Sequence, residues 1–312
     1  MKKKIFLKSL MIALSALSLI YFFHILIPKL DQLPHIEWSP ISCLIIFVCT
    51  LLYLTTTIIG GVNWGILLRD FGIQINNVEA IKITAFTQFG KYLPGNVGHH
   101  LGRLYIAGRK GIPAIVTIQT IFYETVILIA TSLLIGLSGV IKTYNNPWDF
   151  WIRFSLVSLF IIASLTLPSK LLPSINKMDF KWLTKLKGNA DLLSLNYSTI
   201  PKIISLNALS LSISGITLQI LSIYIFHSHE ENPLFLISAY TASWLLGYLI
   251  PGAPAGMGIR EVTLMSMLSI EYDQETALAL TILLRVISLT GDGLCFIISG
   301  LIGKKFDQPS IK

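Results

Sequence analysis

Two stretches of sequence decide the fold: FGKYLPGNVGHHLGR at residues 89–103 and LGYLIPGAPAGMGIR at residues 246–260. Each one interrupts a hydrophobic segment with proline and glycine and ends on an arginine. At a constant offset of 157 residues, four pairs of positions match: Gly90 with Gly247, Pro94 with Pro251, Gly95 with Gly252, and Arg103 with Arg260. Thr84 and Thr241 lie in the same register. This match indicates an internal repeat.

Proline removes a backbone hydrogen-bond donor and disfavours helix in the residue before it, so each segment is predicted to become two half-helices joined by non-helical backbone. The predicted break positions are Gly90, Pro94, Gly247, Pro251 and Pro254. Unpaired backbone at membrane depth is tolerated only against protein or a wet cavity. The second half-helices, expected to begin near Asn96 and Ala255, would present free N–H groups there. An anionic head group is the natural occupant.

The composition is that of a membrane protein. Of 312 residues, 53% are hydrophobic and 13% charged, whereas soluble domains average about 25% charged. The formal net charge of +8 is scattered between apolar runs, which disfavours a nucleic-acid-binding surface and favours a topology signal. The hydrophobic content excludes a disordered chain, and three cysteines within apolar stretches exclude a disulfide framework.

We predict an all-α polytopic membrane protein, because about 20 apolar residues cross the bilayer as a helix. Six full spans are expected, at Ile5–Ile27, Ile41–Leu68, Ala114–Ile141, Phe150–Leu167, Ile203–Phe226 and Thr276–Ile302. Residues 1–312 are read as one integral membrane domain. Its first half, about 41–168, contains a re-entrant segment at 80–109, and its second half, about 203–302, contains one at 234–270. A basic cytoplasmic loop at 169–202 lies between the halves.

Positive charge predicts the orientation. If each broken segment enters the membrane and returns to the same face, all the basic clusters lie on one side of the membrane. These clusters are Lys2–Lys4, Arg109 and Lys110, the 169–202 loop, and Lys304 and Lys305. The opposite loops carry mostly acids, and both termini are therefore expected in the cytoplasm. In this topology the two broken segments enter from opposite faces, which makes an inverted repeat. Paired broken segments of this kind point to a binding site at the membrane midplane.

Charged residues within spans are costly and are functional candidates by default. We place the anionic head group on Arg103, Arg260, Gly95, Asn96, Gly252 and Gly258. The other intramembrane charges are Glu124, Glu261, Arg285 and Asp292. Structural pairing is the alternative for these: Arg285 with Asp292 on one helix face, Glu124 with an arginine, or Glu261 with Arg260. His99, His100 and Lys91 have no counterpart in the second repeat, so we expect none of them to be essential.

The segments GKYLPGNVGHHLGR and PGAPAGMGIRE resemble the transmembrane region of lysylphosphatidylglycerol synthases and the related stand-alone flippase-like membrane proteins. The resemblance extends from about Ile41 to Ile302 and implies lipid translocation in the bacterial cytoplasmic membrane. The synthases append a soluble aminoacyl-transferring domain, whereas this sequence ends ten residues after Ile302. We therefore expect no synthesis of lysyl-lipid by this chain.

The leading hypothesis is a flippase for an anionic phospholipid or lipid-linked intermediate in envelope biogenesis. Membrane lipids are its expected partners, including a lipid-linked glycan or an aminoacyl-lipid, together with envelope-biosynthesis enzymes. The alternatives are a secondary transporter of a small soluble anion and a non-catalytic subunit of an envelope-assembly complex. An enzyme is not expected, because the sequence carries no Asp-x-Asp pair, P-loop or phosphatase signature. We predict no metal and no cofactor.

Overall fold

The computed structural model describes residues 38–93, 96–139, 155, 159, 195–228, 232–250 and 254–302. Within these ranges the chain is helical and contains no strand. Its α-helices, in chain order, are α1 (Pro40–Asp70), α2 (Asn77–Gln88), α3 (Gly98–Arg109), α4 (Ala114–Gly139), α5 (Thr199–Ile225), α6 (Pro233–Leu249), α7 (Ile259–Leu268) and α8 (Gln274–Ile302). Short 3-10 turns at Phe89–Tyr92 and Pro254–Gly256 lie in the two broken segments.

Helices α1, α4, α5 and α8 are long and apolar enough to cross a membrane, which confirms a multi-pass helical membrane protein. Helix α5 has 27 residues and is therefore about 40 Å long. These helices correspond to four of the six predicted spans. The predicted span at Ile5–Ile27, the one at Phe150–Leu167 apart from residues 155 and 159, and most of the 169–202 loop lie outside the described residues.

Many large apolar side chains on these helices face outward. Phe47 on α1 is 59% exposed and Leu209 on α5 is 50% exposed. Such a surface suits contact with lipid rather than with water, since soluble proteins keep exposed apolar patches small. The polar side chains that the sequence places within these helices, such as Asn63 and Asn207, are instead buried between them.

The shorter helices form two hairpins. In the first, α2 and α3 run antiparallel: Gly102 lies against Thr87, and Gly98 lies against Gly90 nearer the tip. In the second, Gly247 on α6 lies against Gly256. Helix α2 has 12 residues, so it is about 18 Å long and shorter than the hydrocarbon core. Each broken segment therefore folds back on itself.

The order of elements is the same in both halves: a long helix, a short helix, a 3-10 turn, a short helix and a long helix. The packing is reciprocal as well. Helix α4 packs on α6 of the other half, and α8 packs on α2. Both halves also use glycine for one close approach, where Gly61 of α1 meets Ile81 of α2 and Gly215 of α5 meets Ile237 of α6. Small residues permit such helix contacts.

Helices α1 and α5 pack along each other in opposite directions. Asn63 Nδ2 in the C-terminal third of α1 donates to Asn207 Oδ1 in the N-terminal third of α5 over 2.8 Å. At the C-terminal end of α1, Asp70 accepts from the Thr199 hydroxyl over 2.8 Å at the beginning of α5. The first helices of the two halves, α1 and α5, are therefore antiparallel.

Basic and acidic residues collect at opposite ends of this bundle. Lys110 at the end of α3 pairs with Glu79 at the beginning of α2, close to Arg69. The far end of α5 is tied to the α7–α8 connection, where the Ser222 hydroxyl donates to Tyr272 Oη over 3.1 Å. Glu271 and Asp273 lie in that connection. The Asp273 carboxylate accepts a hydrogen bond from the Thr276 N–H in the first turn of α8. This hydrogen bond lowers the pKa of the Asp273 carboxyl.

Candidate functional site

A polar cavity of about 170 Å³ lies between the two hairpins and helices α1, α4 and α5. A second space of about 90 Å³ adjoins it toward the tips of the hairpins. The two share lining residues, including Lys91, His99, Tyr248 and Arg260, so they form one connected space. Both interrupted hydrophobic segments therefore border a cavity lined by polar residues at the place where the two hairpins meet.

Arg103 enters this cavity from α3 and is only 4% exposed. Its Nη1 donates to Glu124 Oε2 on α4 over 2.5 Å. The guanidinium also lies 5.4 Å from the centroid of the Trp64 ring. Glu124 thus pairs with an arginine, which is one of the two roles considered for it. Its carboxylate neutralises Arg103.

A second ion pair connects the first hairpin to the last helix. Lys91 Nζ lies 2.7 Å from Asp292 Oδ2, and the Asp292 side chain is fully buried. Two tyrosine hydroxyls also donate to this carboxylate, Tyr53 over 3.1 Å and Tyr92 over 2.5 Å. Asp292 is therefore partnered by Lys91 and not by Arg285. Lys91 lines both spaces, although it has no counterpart in the second repeat.

Arg285 on α8 pairs instead with Glu261, its Nε lying 3.2 Å from Oε1. The same Glu261 accepts from the backbone N–H of Gly258 over 2.6 Å and so caps α7. Two expectations change as a result. Glu261 is engaged by Arg285 and not by its neighbour Arg260, and the Gly258 N–H points to a side chain of its own helix.

Arg260 is the exception among the cavity cations. Within the described ranges, no carboxylate forms an ion pair with its guanidinium, which lies over the Tyr240 ring at 5.0 Å. Arg260 lines both spaces of the connected cavity. Lys91 and Arg103 each have a carboxylate, so Arg260 is the cation that remains available to an anion.

Close backbone approaches at glycine and left-handed residues shape the two breaks. Adding a Cβ to Gly90 would bring it to 2.7 Å from the backbone of Gly98, and at Gly247 the nearest backbone, that of Gly256, would lie at 3.3 Å. Asn96 and Ala255 adopt left-handed conformations, with φ of 53° and 50°. The second half-helices begin at Gly98 and Ile259, later than expected from the sequence.

The structure describes some of the other predicted site residues and leaves four of them outside the described ranges. Asn96 lines the smaller space beside Gly247. Pro254 begins the second 3-10 turn. Four predicted positions lie outside the described residues: Pro94, Gly95, Pro251 and Gly252.

Sequence reasoning missed several cavity residues, among them Tyr53, Asn63, Asn207 and Tyr248. A signal for the two asparagines was present, since each is a strongly polar residue inside a predicted span, and such residues face the interior of a bundle. The tyrosines gave no comparable signal because their rings suit an apolar helix equally well.

Comparison with known families matches residues 7–293 to the transmembrane region of lysylphosphatidylglycerol synthase. The match includes both hairpins and every charged residue of the cavity. No curated protein matches the chain. Because the match takes in most of its length, the chain belongs to the family of the lysylphosphatidylglycerol synthase transmembrane region.

Proposed function

We propose that this protein moves an anionic phospholipid or lipid-linked intermediate across a bacterial cytoplasmic membrane by passing its head group through the cavity between the hairpins. The observation that carries this proposal is Arg260, which lines the cavity without a carboxylate partner among the described residues. The family match supports a function connected with membrane lipids. We propose transport rather than catalysis, with envelope lipids and envelope-biosynthesis enzymes as partners.

A guanidinium without a counter-ion in a partly desolvated cavity is costly, and a phosphate that enters restores the missing charge. Arginine suits this role because its planar donors match phosphate oxygens in pairs. The partners of Lys91 and Arg103 hold those two cations in place, so they contribute to the shape of the cavity. Arg260 is then the main contact for the phosphate.

An apolar groove beside the cavity favours a lipid over a small soluble anion. It measures about 540 Å³ and is lined by both helices and the tip of the first hairpin and by Phe296 of α8. Tyr92 lines the groove, and its hydroxyl donates to Asp292. The same carboxylate pairs with Lys91, which lines the polar cavity, so one side-chain cluster separates the two spaces. A polar cavity near an apolar groove suits a ligand that has a charged head group and a hydrocarbon tail.

We also propose that the halves are related as an inverted repeat, with both termini in the cytoplasm. The antiparallel pairing of α1 with α5 supports this, because corresponding helices of an inverted repeat cross the membrane in opposite directions. The basic end of the bundle then faces the cytoplasm. Alternating exposure of the cavity would follow from movement of one hairpin against the other.

This orientation predicts opposite accessibility for two introduced cysteines. Position 202, near the basic end of the bundle, and position 273, near the acidic end, are both exposed. In a background with Cys43→Ser, which removes the exposed native thiol, a membrane-impermeant maleimide should label Asp273→Cys on intact cells and Lys202→Cys only in inside-out vesicles. Labelling of both positions from the same side would contradict the proposed topology.

Transport is tested by reconstitution. Proteoliposomes should move a tail-labelled anionic phospholipid between leaflets, measured as access of an impermeant quencher, with and without an imposed proton gradient. We expect Arg260→Ala to lower the rate by about tenfold to a hundredfold, because charge-assisted hydrogen bonds contribute roughly 1.5–3 kcal/mol. Arg260→Lys should be intermediate, since it keeps the charge and loses the planar donors.

Lys202→Ala is the matched control, because it removes one positive charge from an exposed position at the end of α5. It should move lipid at the wild-type rate. Uptake of small anions without lipid movement would favour the soluble-anion transporter. Function in cells that survives Arg260→Ala unchanged would favour the partner-subunit alternative.

A further inference from the structure

The cavity contains buried polar atoms that have no partner in the part of the chain that the structure describes. They are Asn63 Oδ1, Asn207 Nδ2, Thr84 Oγ1, His99 Nδ1, His100 Nδ1 and Arg103 Nε. Five of these six side chains belong to residues that are less than a tenth exposed, His100 being the exception. Buried polar groups normally find hydrogen-bond partners, and a cluster of exceptions around one cavity indicates a polar ligand.

The asparagine pair shows what kind of group fits. Asn63 Nδ2 donates to Asn207 Oδ1, which leaves an acceptor on Asn63 and a donor on Asn207 without a partner among the described residues, on two directly hydrogen-bonded side chains. A hydroxyl group can donate to the first and accept from the second at the same time. A quaternary ammonium can do neither, and a primary ammonium can only donate.

The charges of the cavity restrict the ligand further. Its cations are Lys91, Arg103 and Arg260, and the carboxylates that pair with them are Glu124 and Asp292. One net positive charge remains. A phosphodiester carries a single negative charge and balances it, whereas an added ammonium on the head group would restore the excess.

We infer that the lipid bound here is a phosphodiester whose head group carries hydroxyls and no amine, with its phosphate at Arg260 and a hydroxyl at the Asn63–Asn207 pair. This inference rests on the proposed function and specifies its substrate class. Thr84 and the two histidines supply further polar positions for a head group with more than one hydroxyl.

Two lipids with the same tails and the same charge separate the hydroxyl contribution from the phosphate contribution. One has a glycerol head group and the other a methyl ester in its place. Binding of short-chain forms to the purified protein is measured by calorimetry. We expect the glycerol lipid to bind about tenfold more tightly than the methyl lipid, as the loss of one or two hydrogen bonds implies.

The variant Asn63→Leu with Asn207→Leu should abolish this preference by weakening the glycerol lipid alone. Thr84→Val is the milder variant, because its hydroxyl has no partner to lose, and it should reduce the preference about threefold. Thr217→Val is the matched control on α5. Thr217 is buried and its hydroxyl donates to Ile213 O over 2.9 Å. It is not among the described residues that line the cavity or the groove. This control should leave the preference unchanged.

Equal binding of the two lipids by the wild-type protein would overturn the inference, and so would a preference that persists in both the asparagine and the Thr84 variants. If both lipids then still depend on Arg260, the proposed function survives and only the head-group assignment fails. If neither lipid binds the folded wild-type protein, the proposed function fails together with it.

Discussion

Replacing Asp292 with asparagine is expected to destabilise the folded protein by about 3 kcal/mol, the lower end of what the loss of one member of a buried ion pair costs. The Asp292 side chain is fully buried, and that of Lys91 is 16% exposed. Without the carboxylate, the ammonium stays in the interior with no counter-ion. The hydroxyls of Tyr53 and Tyr92 also lose the charged acceptor to which both donate. The measurement is the midpoint of SDS-induced unfolding in mixed micelles.

Lys91→Met in the same chain should recover most of this loss, because removing both charges leaves no buried ion unpaired. Glu275→Gln is the control on α8, where the exposed carboxylate contributes within about 0.5 kcal/mol. An Asp292→Asn protein as stable as the wild type would show that Lys91 reaches water in the folded state. Equal instability of the single and double variants would show that the tyrosine contacts dominate.

Gly215→Ala is expected to destabilise the protein by about 2 kcal/mol, within the range for overpacking a well-packed contact. An added Cβ at Gly215 would overlap the Ile237 backbone. Gly61→Ala should behave alike, since its Cβ would lie 2.5 Å from the Cα of Ile81. Backbone cannot move aside as a flexible side chain can, so the hairpins must shift away from α1 and α5. Loss of monodisperse protein on gel filtration and a lower unfolding midpoint are the measurements.

Gly293→Ala and Gly108→Ala are the matched controls, because no atom lies within 4 Å of either added Cβ. Both positions are helical, so alanine should stabilise them by up to about 1 kcal/mol. A stable Gly215→Ala protein would mean that the contact between α5 and α6 can loosen without loss of fold. A large effect of Gly215→Ala with none for Gly61→Ala would mean that the two halves do not share this packing.

The long helices were predictable because hydropathy reports burial in lipid directly. The spans expected at Ile41–Leu68 and Thr276–Ile302 correspond to α1 and α8 within two residues at each end. The position of the hairpins followed from Pro and Gly. The beginnings of α3 and α7 were predicted too early. Left-handed Asn96 delays the start of α3, and the 3-10 turn Pro254–Gly256 with left-handed Ala255 delays the start of α7.

The pairing of charges was less accessible to sequence. Arg285 and Asp292 share one stripe on α8, and their spacing suggested a common role. Their partners are instead set by which hairpin packs on each turn of the helix: the second hairpin supplies Glu261 and the first supplies Lys91. Such choices depend on contacts between distant segments, which helical periodicity does not report.

The contact between the first hairpin and α8 also constrains the order of biosynthesis. Tyr92 and its acceptor Asp292 are separated by 200 residues. At roughly 5–20 residues per second, the ribosome needs about 10–40 s to synthesise the intervening chain. During this interval the Lys91 ammonium lacks the carboxylate that pairs with it in the folded protein. The first hairpin should therefore remain near the membrane surface, or with an insertase, until the last helix is delivered, so that completion of the chain and closure of the bundle coincide.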